Sequence, residues 1–489
     1  MPALIPSPDR PLPCCHTPAP APDVPREGVL REDLSVPIAT VNPATGKTEQ
    51  TFDSHDDKEV EERLALAADA AVTYRQTTFS DRARLVVTAA ELLEAEVPDV
   101  ARIMTTEMGK TFASAKAEAS KCAKGLRWFA EHAEALLADE KVDTEATDSR
   151  VIWQPMGPVL AVMPWNFPLW QVMRFAAPAL MAGNIGLLKH ASNVPQTALL
   201  IEDLFRRAGF PPGVFQTLLI PASKVAGLIE DPRVRAVTLT GSEEAGRSVA
   251  ETAGRSIKKS VLELGGSDPF VVLPSADLAE AARVGVTARV QNNGQSCIAA
   301  KRFVIHRDCY EAFEEAFVTG MAGLSVGDPM DPASELGPLA LASGRDEVAA
   351  LVDDARDKGA QILCGGTPLD GPGYFYPPTV IADITPDMRV ATEEVFGPVA
   401  LLHRVDNADD ALRVANDTGF GLGASVWTHD EGERQRFVEG LDVGMVFVNA
   451  MVVSTLELPF GGTKRSGYGR ELAGLGIREF CEAKSVWQA

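Results

Sequence analysis

From Ile38 onward the chain alternates two kinds of pattern. Apolar residues recur every three or four positions over 56–72, 80–93 and 110–137, the spacing that lines one face of a helix. A polar, β-permissive stretch follows over 141–153. Beyond it, short apolar runs at 159–163, 185–189, 214–220 and 236–239 alternate with helical patterns opening at Pro168, Val194 and Ser242. A second series runs from Phe270 to Trp427, with a helix expected over 278–290 and strands near 302–306 and 399–404. Strands and helices alternating at this interval predict βαβ units, hence an α/β chain whose parallel sheets carry helices on both faces.

Residues 1–36 stand apart. Nine prolines within the first 25 positions exclude both helix and central strand, so this segment reads as a disordered leader. Cys14 and Cys15 lie in it without partner ligands nearby; they read as exposed thiols, and no metal site is expected.

Composition narrows the function. With 489 residues there is room for two or three domains. The 46 Lys+Arg against 68 Asp+Glu give a net charge of −22, which repels phosphate backbones, and no basic patch offsets it. Nucleic acid is therefore not an expected partner. No apolar run reaches the roughly 18 residues of a membrane helix; the nearest, 172–188, is broken by Arg174, Pro178 and Asn184. The N-terminus shows no charged-then-apolar signal pattern, so no membrane association is expected. Seven scattered cysteines, an odd number, read as reduced thiols in a cytoplasm.

Three segments carry groups suited to chemistry. In RVQNNGQSC (289–297) a cysteine follows a helical stretch and an Asn-Asn-Gly turn, where it can occupy an exposed corner. Taken singly, such a cysteine is more readily a buried structural residue. In LELGG (262–266) Glu263 stands among apolar residues and paired glycines, a setting that raises a carboxyl pKa toward the range of a general base; its bland alternative is a solvated strand end. In PWNFP (164–168) the Asn166 amide is held between two prolines, a good donor for a developing oxyanion, or else a plain turn.

Together these segments resemble the aldehyde dehydrogenase superfamily, as do Thr240-Gly241-Ser242 with Gly246, the run EEVFGP (393–398) and the run PFGG (459–462). The resemblance covers the chain from about Val36 to Ala489. It implies a Rossmann-type dinucleotide-binding domain (37–140 and 152–262), an α/β catalytic domain (263–455) and a small β oligomerisation arm (141–151 and 470–489). It also implies Cys297 as nucleophile, with its thiol pKa depressed beside bound cofactor, Asn166 as oxyanion donor and Glu263 as the base that activates water. The implied cofactor residues are Trp165, Lys189, Ser192, Gly241, Ser242, Gly246, Leu264, Glu394 and Phe396, with backbone N–H groups of Gly241 and Ser242 against the pyrophosphate. Relatives that prefer NAD carry a Glu where this chain has Ser192. Loss of that carboxylate removes a like-charge penalty, so NADP is the expected preference, with NAD the alternative.

The substrate can be read further. Arg174 follows Asn166 by eight positions on a helical, otherwise apolar stretch. An Arg buried there needs an anionic partner, and a substrate carboxylate would supply one; the alternative is a solvated surface Arg. The segments 189–195, 263–270 and 295–302 look like the bacterial succinate-semialdehyde branch of the family, in which Ser454 matches a second carboxylate anchor. Many members of that branch carry an Arg six residues before the nucleophile; here Gln291 stands there, and its amide is a candidate donor. The expected reaction is oxidation of succinate semialdehyde, with glutarate semialdehyde or a broader range of aldehydes as alternatives. The terminal segment 483–489 is expected to pair with 141–153 in the arm, giving a homodimer or homotetramer.

Overall fold

The structure is a computed structural model that describes residues 37–489. The leader, with Cys14 and Cys15, lies outside the described residues.

Helices occupy Asp57–Tyr74, Phe79–Ala95 and Phe112–Leu136, where the apolar spacing places them. The first two open on capping boxes, Asp56 with Glu59 and Thr78 with Asp81, which satisfy end N–H groups reciprocally. A further helix, Val97–Met108, carries Pro98 in its first turn and ends at Gly109, whose φ of 79° suits a glycine cap.

Two large sheets position the site. The first has six strands in the order Gly467–Tyr468, Lys259–Glu263, Ala236–Thr240, Pro158–Met163, Ile185–His190, Phe215–Thr217, all parallel except the first. The chain winds outward from Pro158–Met163 in one direction and returns to add Ala236–Thr240 on the other side. Strand order therefore reverses between those two strands, and such a switch point leaves a crevice at the strands' C-terminal ends. The second sheet has seven strands, in which Thr379–Ala382, Val399–Val405, Ala300–His306, Asp268–Val272, Gly423–Trp427 and Met445–Val448 run parallel and Gln361–Cys364 closes one edge antiparallel. A small third sheet pairs Cys481–Gln488 antiparallel with Asp148–Pro155, and Glu140–Lys141 with the latter.

The helix Trp170–Ala182 is buried along all 13 residues, Arg174 included. It starts two residues later than the Pro168 opening expected from the sequence. Among the described residues no helix is long and apolar enough to cross a membrane.

Candidate active site

The turn before Cys297 is built for one shape. Asn292, Asn293 and Gly294 are all left-handed, at φ 56°, 58° and 76°, a conformation that asparagine tolerates and glycine adopts freely. Side chains on every side hold it there. Asn293 Nδ2 donates to the carbonyls of Gly109 (2.9 Å) and Pro338 (3.0 Å). Asn292 Nδ2 donates to Asn166 O at 2.7 Å, and Arg289 Nη2 donates to Gly294 O at 2.7 Å. Lys301, fully buried, donates to the carbonyls of Ser296 (2.9 Å) and Cys297 (2.8 Å) and pairs with Glu394 at 3.1 Å. The paired glycines of 265–266 admit the backbone between these groups: a Cβ on Gly265 would collide with the Glu394 carboxylate, and one on Gly266 would lie 2.5 Å from Cys297 O.

Cys297 thereby stands at the wall of a cavity of about 470 Å³, together with Asn292, Gln291, Arg174, Ser454 and Lys121. In the chain alone, burial pushes its thiol up to about 12, with Arg174 and Lys301 opposing. The shift is opposite to the depression expected beside cofactor, because among the described residues no cation contacts the sulfur closely enough to outweigh burial.

Asn166 is fixed from several directions. Its Nδ2 donates to Gln295 O at 3.0 Å, which leaves one of its two hydrogens for another acceptor, and its Oδ1 accepts from Gln171 Nε2 at 3.1 Å. The loop that carries it is clamped by His190, whose Nδ1 accepts from the Ala191 N–H (3.0 Å) and whose Nε2 then donates to Pro168 O (2.9 Å). Burial holds this imidazole down to about 4, so it stays neutral at physiological pH. Glu118, ion-paired with the fully buried Lys110, accepts from the N–H groups of Leu169 (2.9 Å) and Trp170 (2.8 Å) and so caps the Arg174 helix.

Glu263 ends the strand Lys259–Glu263, almost wholly buried, and neither carboxyl oxygen has a hydrogen-bond partner among the described residues. It lies close to Gly461, where an added Cβ would come within 2.8 Å of Oε1. Burial, reinforced by repulsion from Glu471, holds its pKa well above the usual carboxylate range. A carboxyl so placed holds a proton more tightly than an exposed one and, once ionised, is a stronger base.

Arg174 departs from the expectation that substrate alone would supply its anion. Its Nε is ion-paired with the buried Glu471, and its guanidinium lies 4.4 Å over the Phe460 ring. The pairing leaves Nη2 buried and without a hydrogen-bond partner among the described residues. Ser454 Oγ accepts from Lys121 Nζ (2.6 Å) and from Trp170 Nε1 (3.1 Å). Gln291 reaches the cavity, but its amide is turned toward the carbonyls of Ala288 (3.4 Å) and Ile298 (3.5 Å). Arg289, fully buried, donates to Gly294 O.

The expected cofactor residues gather at the switch point of the six-stranded sheet. Trp165 follows the strand Pro158–Met163 and meets Phe396 edge to face, ring centroids 5.8 Å apart. Across the crevice, Thr240 Oγ1 is buried without a partner among the described residues, an orphaned polar atom where a polar ligand group fits. Ser242 caps the helix Glu243–Arg255, accepting from Ala245 N at 3.3 Å. Gly246 lets that helix close on Leu264, whose side-chain carbons a Cβ there would approach to 2.6 Å. Gly241 is a correction: its N–H donates to Glu263 O at 3.0 Å and is not free for a pyrophosphate. Lys189 is buried on the strand Ile185–His190, and Ser192 is part-exposed just after it. From Leu187 to Pro195 the chain carries no carboxylate. These residues fit a dinucleotide, and the run that carries Ser192 sets no carboxylate of its own against a phosphorylated ribose.

A model of the aldehyde dehydrogenase family matches residues 30–486. The chain belongs to that family. A succinate-semialdehyde dehydrogenase [NADP(+)] of Mycolicibacterium paratuberculosis is 62% identical over 456 residues, 92% of this chain and 97% of the relative. A succinate-semialdehyde dehydrogenase [NADP(+)] 1 of Mycobacterium tuberculosis is 60% identical, covering 93% of this chain and all of that one. Among solved structures, succinic semialdehyde dehydrogenase from Streptococcus pyogenes with NADP+ as the cofactor superposes with a TM-score of 0.90 at 36% identity, covering 92% of this chain and 99% of that one.

For an aldehyde dehydrogenase, the anticipated nucleophile, oxyanion donor and base are thus joined by supports the motifs did not indicate: Lys301, Lys110 with Glu118, Glu471 and Lys121. One signal for some of them exists in the sequence. Thr111, Ser114, Glu118 and Lys121 form a stripe at spacings of three and four, and the helix Phe112–Leu136 turns that stripe to the cavity.

Proposed function

We propose that this aldehyde dehydrogenase oxidises succinate semialdehyde to succinate, with NADP preferred and NAD accepted. The observation that carries the substrate is that a buried cation, Arg174, and the Ser454 hydroxyl line the same cavity as Cys297. The cavity wall offers a sulfur nucleophile, a cation and a hydroxyl, which suits a short aldehyde ending in a carboxylate. The names of the relatives agree with that reading.

Trp165, Lys189, Ser192, Ser242, Gly246, Leu264, Glu394 and Phe396 would hold the dinucleotide. The bound nicotinamide supplies the acceptor for the hydride that leaves the former aldehyde carbon. The chain's residues do the rest. Cys297 gives its proton to solvent, and the thiolate adds to the carbonyl carbon. The remaining Asn166 N–H and the Cys297 backbone N–H stabilise the resulting oxyanion. Loss of hydride leaves a thioester on Cys297. Glu263 then draws a proton from water, whose oxygen attacks the thioester carbon, and the thiolate leaves with succinate formed.

Arg174 cannot be tested alone, because removing it strands Glu471 as an unpaired buried charge. The variant Arg174→Met with Glu471→Gln removes both. We expect its kcat/KM ratio for succinate semialdehyde over butanal to fall about 10- to 100-fold, the value of a charge-assisted hydrogen bond. An unchanged ratio would place Arg174 in the framework and leave the carboxylate preference without its anchor.

The strand Cys481–Gln488 lies at the edge of its sheet and exposes Trp487. An open edge of that length pairs readily with another, and we read the small sheet as the arm through which copies of the chain associate. The cofactor and catalytic domains are read as the regions built on the six- and seven-stranded sheets. The five described cysteines are free, which suits a reducing cytoplasm.

A further inference from the structure

The cavity that Cys297 borders holds a second cation that the motifs did not reveal. Lys121 sits on the helix Phe112–Leu136, part-buried, with its ammonium 4.1 Å over the Trp170 ring. Its hydrogen bond to Ser454 Oγ uses one of three N–H groups, and among the described residues it has no ion-pair partner. Nearby Glu118 is committed to Lys110 and to the end of the Arg174 helix.

The arrangement also sets the direction of Ser454. A hydroxyl oxygen accepts two hydrogen bonds, and here both are taken, by Lys121 and Trp170. Its own O–H is thereby left to donate. Lys121, Ser454 and Arg174 thus line the cavity as donors, while Gln291, which also lines it, brings no charge.

We propose that Lys121 is a specificity-determining residue of this enzyme: with Ser454 and Arg174 it receives the substrate's distal carboxylate, in place of the cation that Gln291 does not provide. This rests on the acid-semialdehyde reading above. The charged or titratable groups facing Lys121 are Glu118 and Cys122 on its own helix and Arg174 on the helix Trp170–Ala182, with Glu335 at the rim of the cavity. Burial draws the ammonium down to about 8, so above that pH the free enzyme loses this charge.

The test compares wild type, Lys121→Met and Lys121→Arg by kcat/KM for succinate semialdehyde and for butanal, with NADP, from pH 7 to 9.5. Taking the ratio of the two aldehydes cancels the titration of Cys297 and Glu263. Lys121→Met should lower the ratio about 10- to 100-fold, through KM more than kcat, and Lys121→Arg should restore most of it. In wild type the ratio should fall as pH rises past 8, whereas in Lys121→Arg it should stay level. Equal losses on both aldehydes, or a ratio within two-fold of wild type, would overturn the proposal by making Lys121 a packing residue. A wild-type ratio near one would overturn the acid-semialdehyde reading itself, so the two failures are distinguishable.

Discussion

Cys297→Ala should lose about four orders of magnitude or more in kcat while still binding NADP, since without the sulfur no thiohemiacetal or thioester forms. The structure explains why another thiol cannot substitute: of the described cysteines only Cys297 borders the cavity, and the loop 291–296 is fixed at both ends by Asn292, Asn293, Arg289 and Lys301. NADPH formation followed by absorbance, with NADP binding followed by calorimetry, separates the two effects. The pH behaviour is a sharper check. Since burial holds the thiol at about 12 in the chain alone, alkylation of cofactor-free enzyme by iodoacetamide should be slow at pH 7 and still be accelerating at pH 10. A cofactor-free thiol that titrates near 8.5 would contradict the burial argument. Saturating NADP should raise the rate at pH 7 if cofactor supplies the missing stabilisation of the thiolate.

Glu263→Gln should slow turnover by about 10²- to 10⁴-fold and change which step limits it. With water no longer activated, the thioester accumulates, so rapid mixing should show one NADPH per site followed by a slow phase, and mass spectrometry should find the acyl group on Cys297. The absence of a trapped acyl-enzyme would mean that Glu263 acts in acylation instead. The same substitution should leave stability equal or higher. The carboxyl is buried without partners and faces Glu471, and its pKa lies above the value it has in the unfolded chain. The native state therefore keeps a proton that the unfolded chain releases above about pH 4.3, and stability declines as pH rises toward the folded-state pKa. A neutral amide escapes this decline, so the Tm advantage of Glu263→Gln should widen as pH rises above about 4.3.

What could be read in the sequence follows from how far apart the interacting groups lie along the chain. The helices and strands around the switch point were legible because apolar spacing is local: the helix Leu278–Val290 has the expected bounds, and Ser242 caps the helix expected to open on it. Val97–Met108 is not legible in the same way; its first turn begins Val-Pro, a proline signal that marks a helix start as readily as a break. The nucleophile, oxyanion donor and base were legible because each sits in a short run of special residues. Their supports were not, since these come from remote elements. Lys121 meets Ser454 across 333 positions, and Asn293 meets Gly109 across 184. The Glu471 partner of Arg174 is also remote along the chain and carries no motif of its own. Gly241 shows the converse limit: its motif is plain in the sequence, but whether its N–H is spent within the sheet depends on strand pairing that only the fold reveals.

The central claim is that this aldehyde dehydrogenase selects its substrate by a distal carboxylate, and kcat/KM of the unmodified enzyme for succinate semialdehyde against butanal, each with NADP and with NAD, tests it most directly. The account predicts at least a ten-fold preference for the acid semialdehyde and the higher value with NADP; equal turnover of the two aldehydes would contradict it.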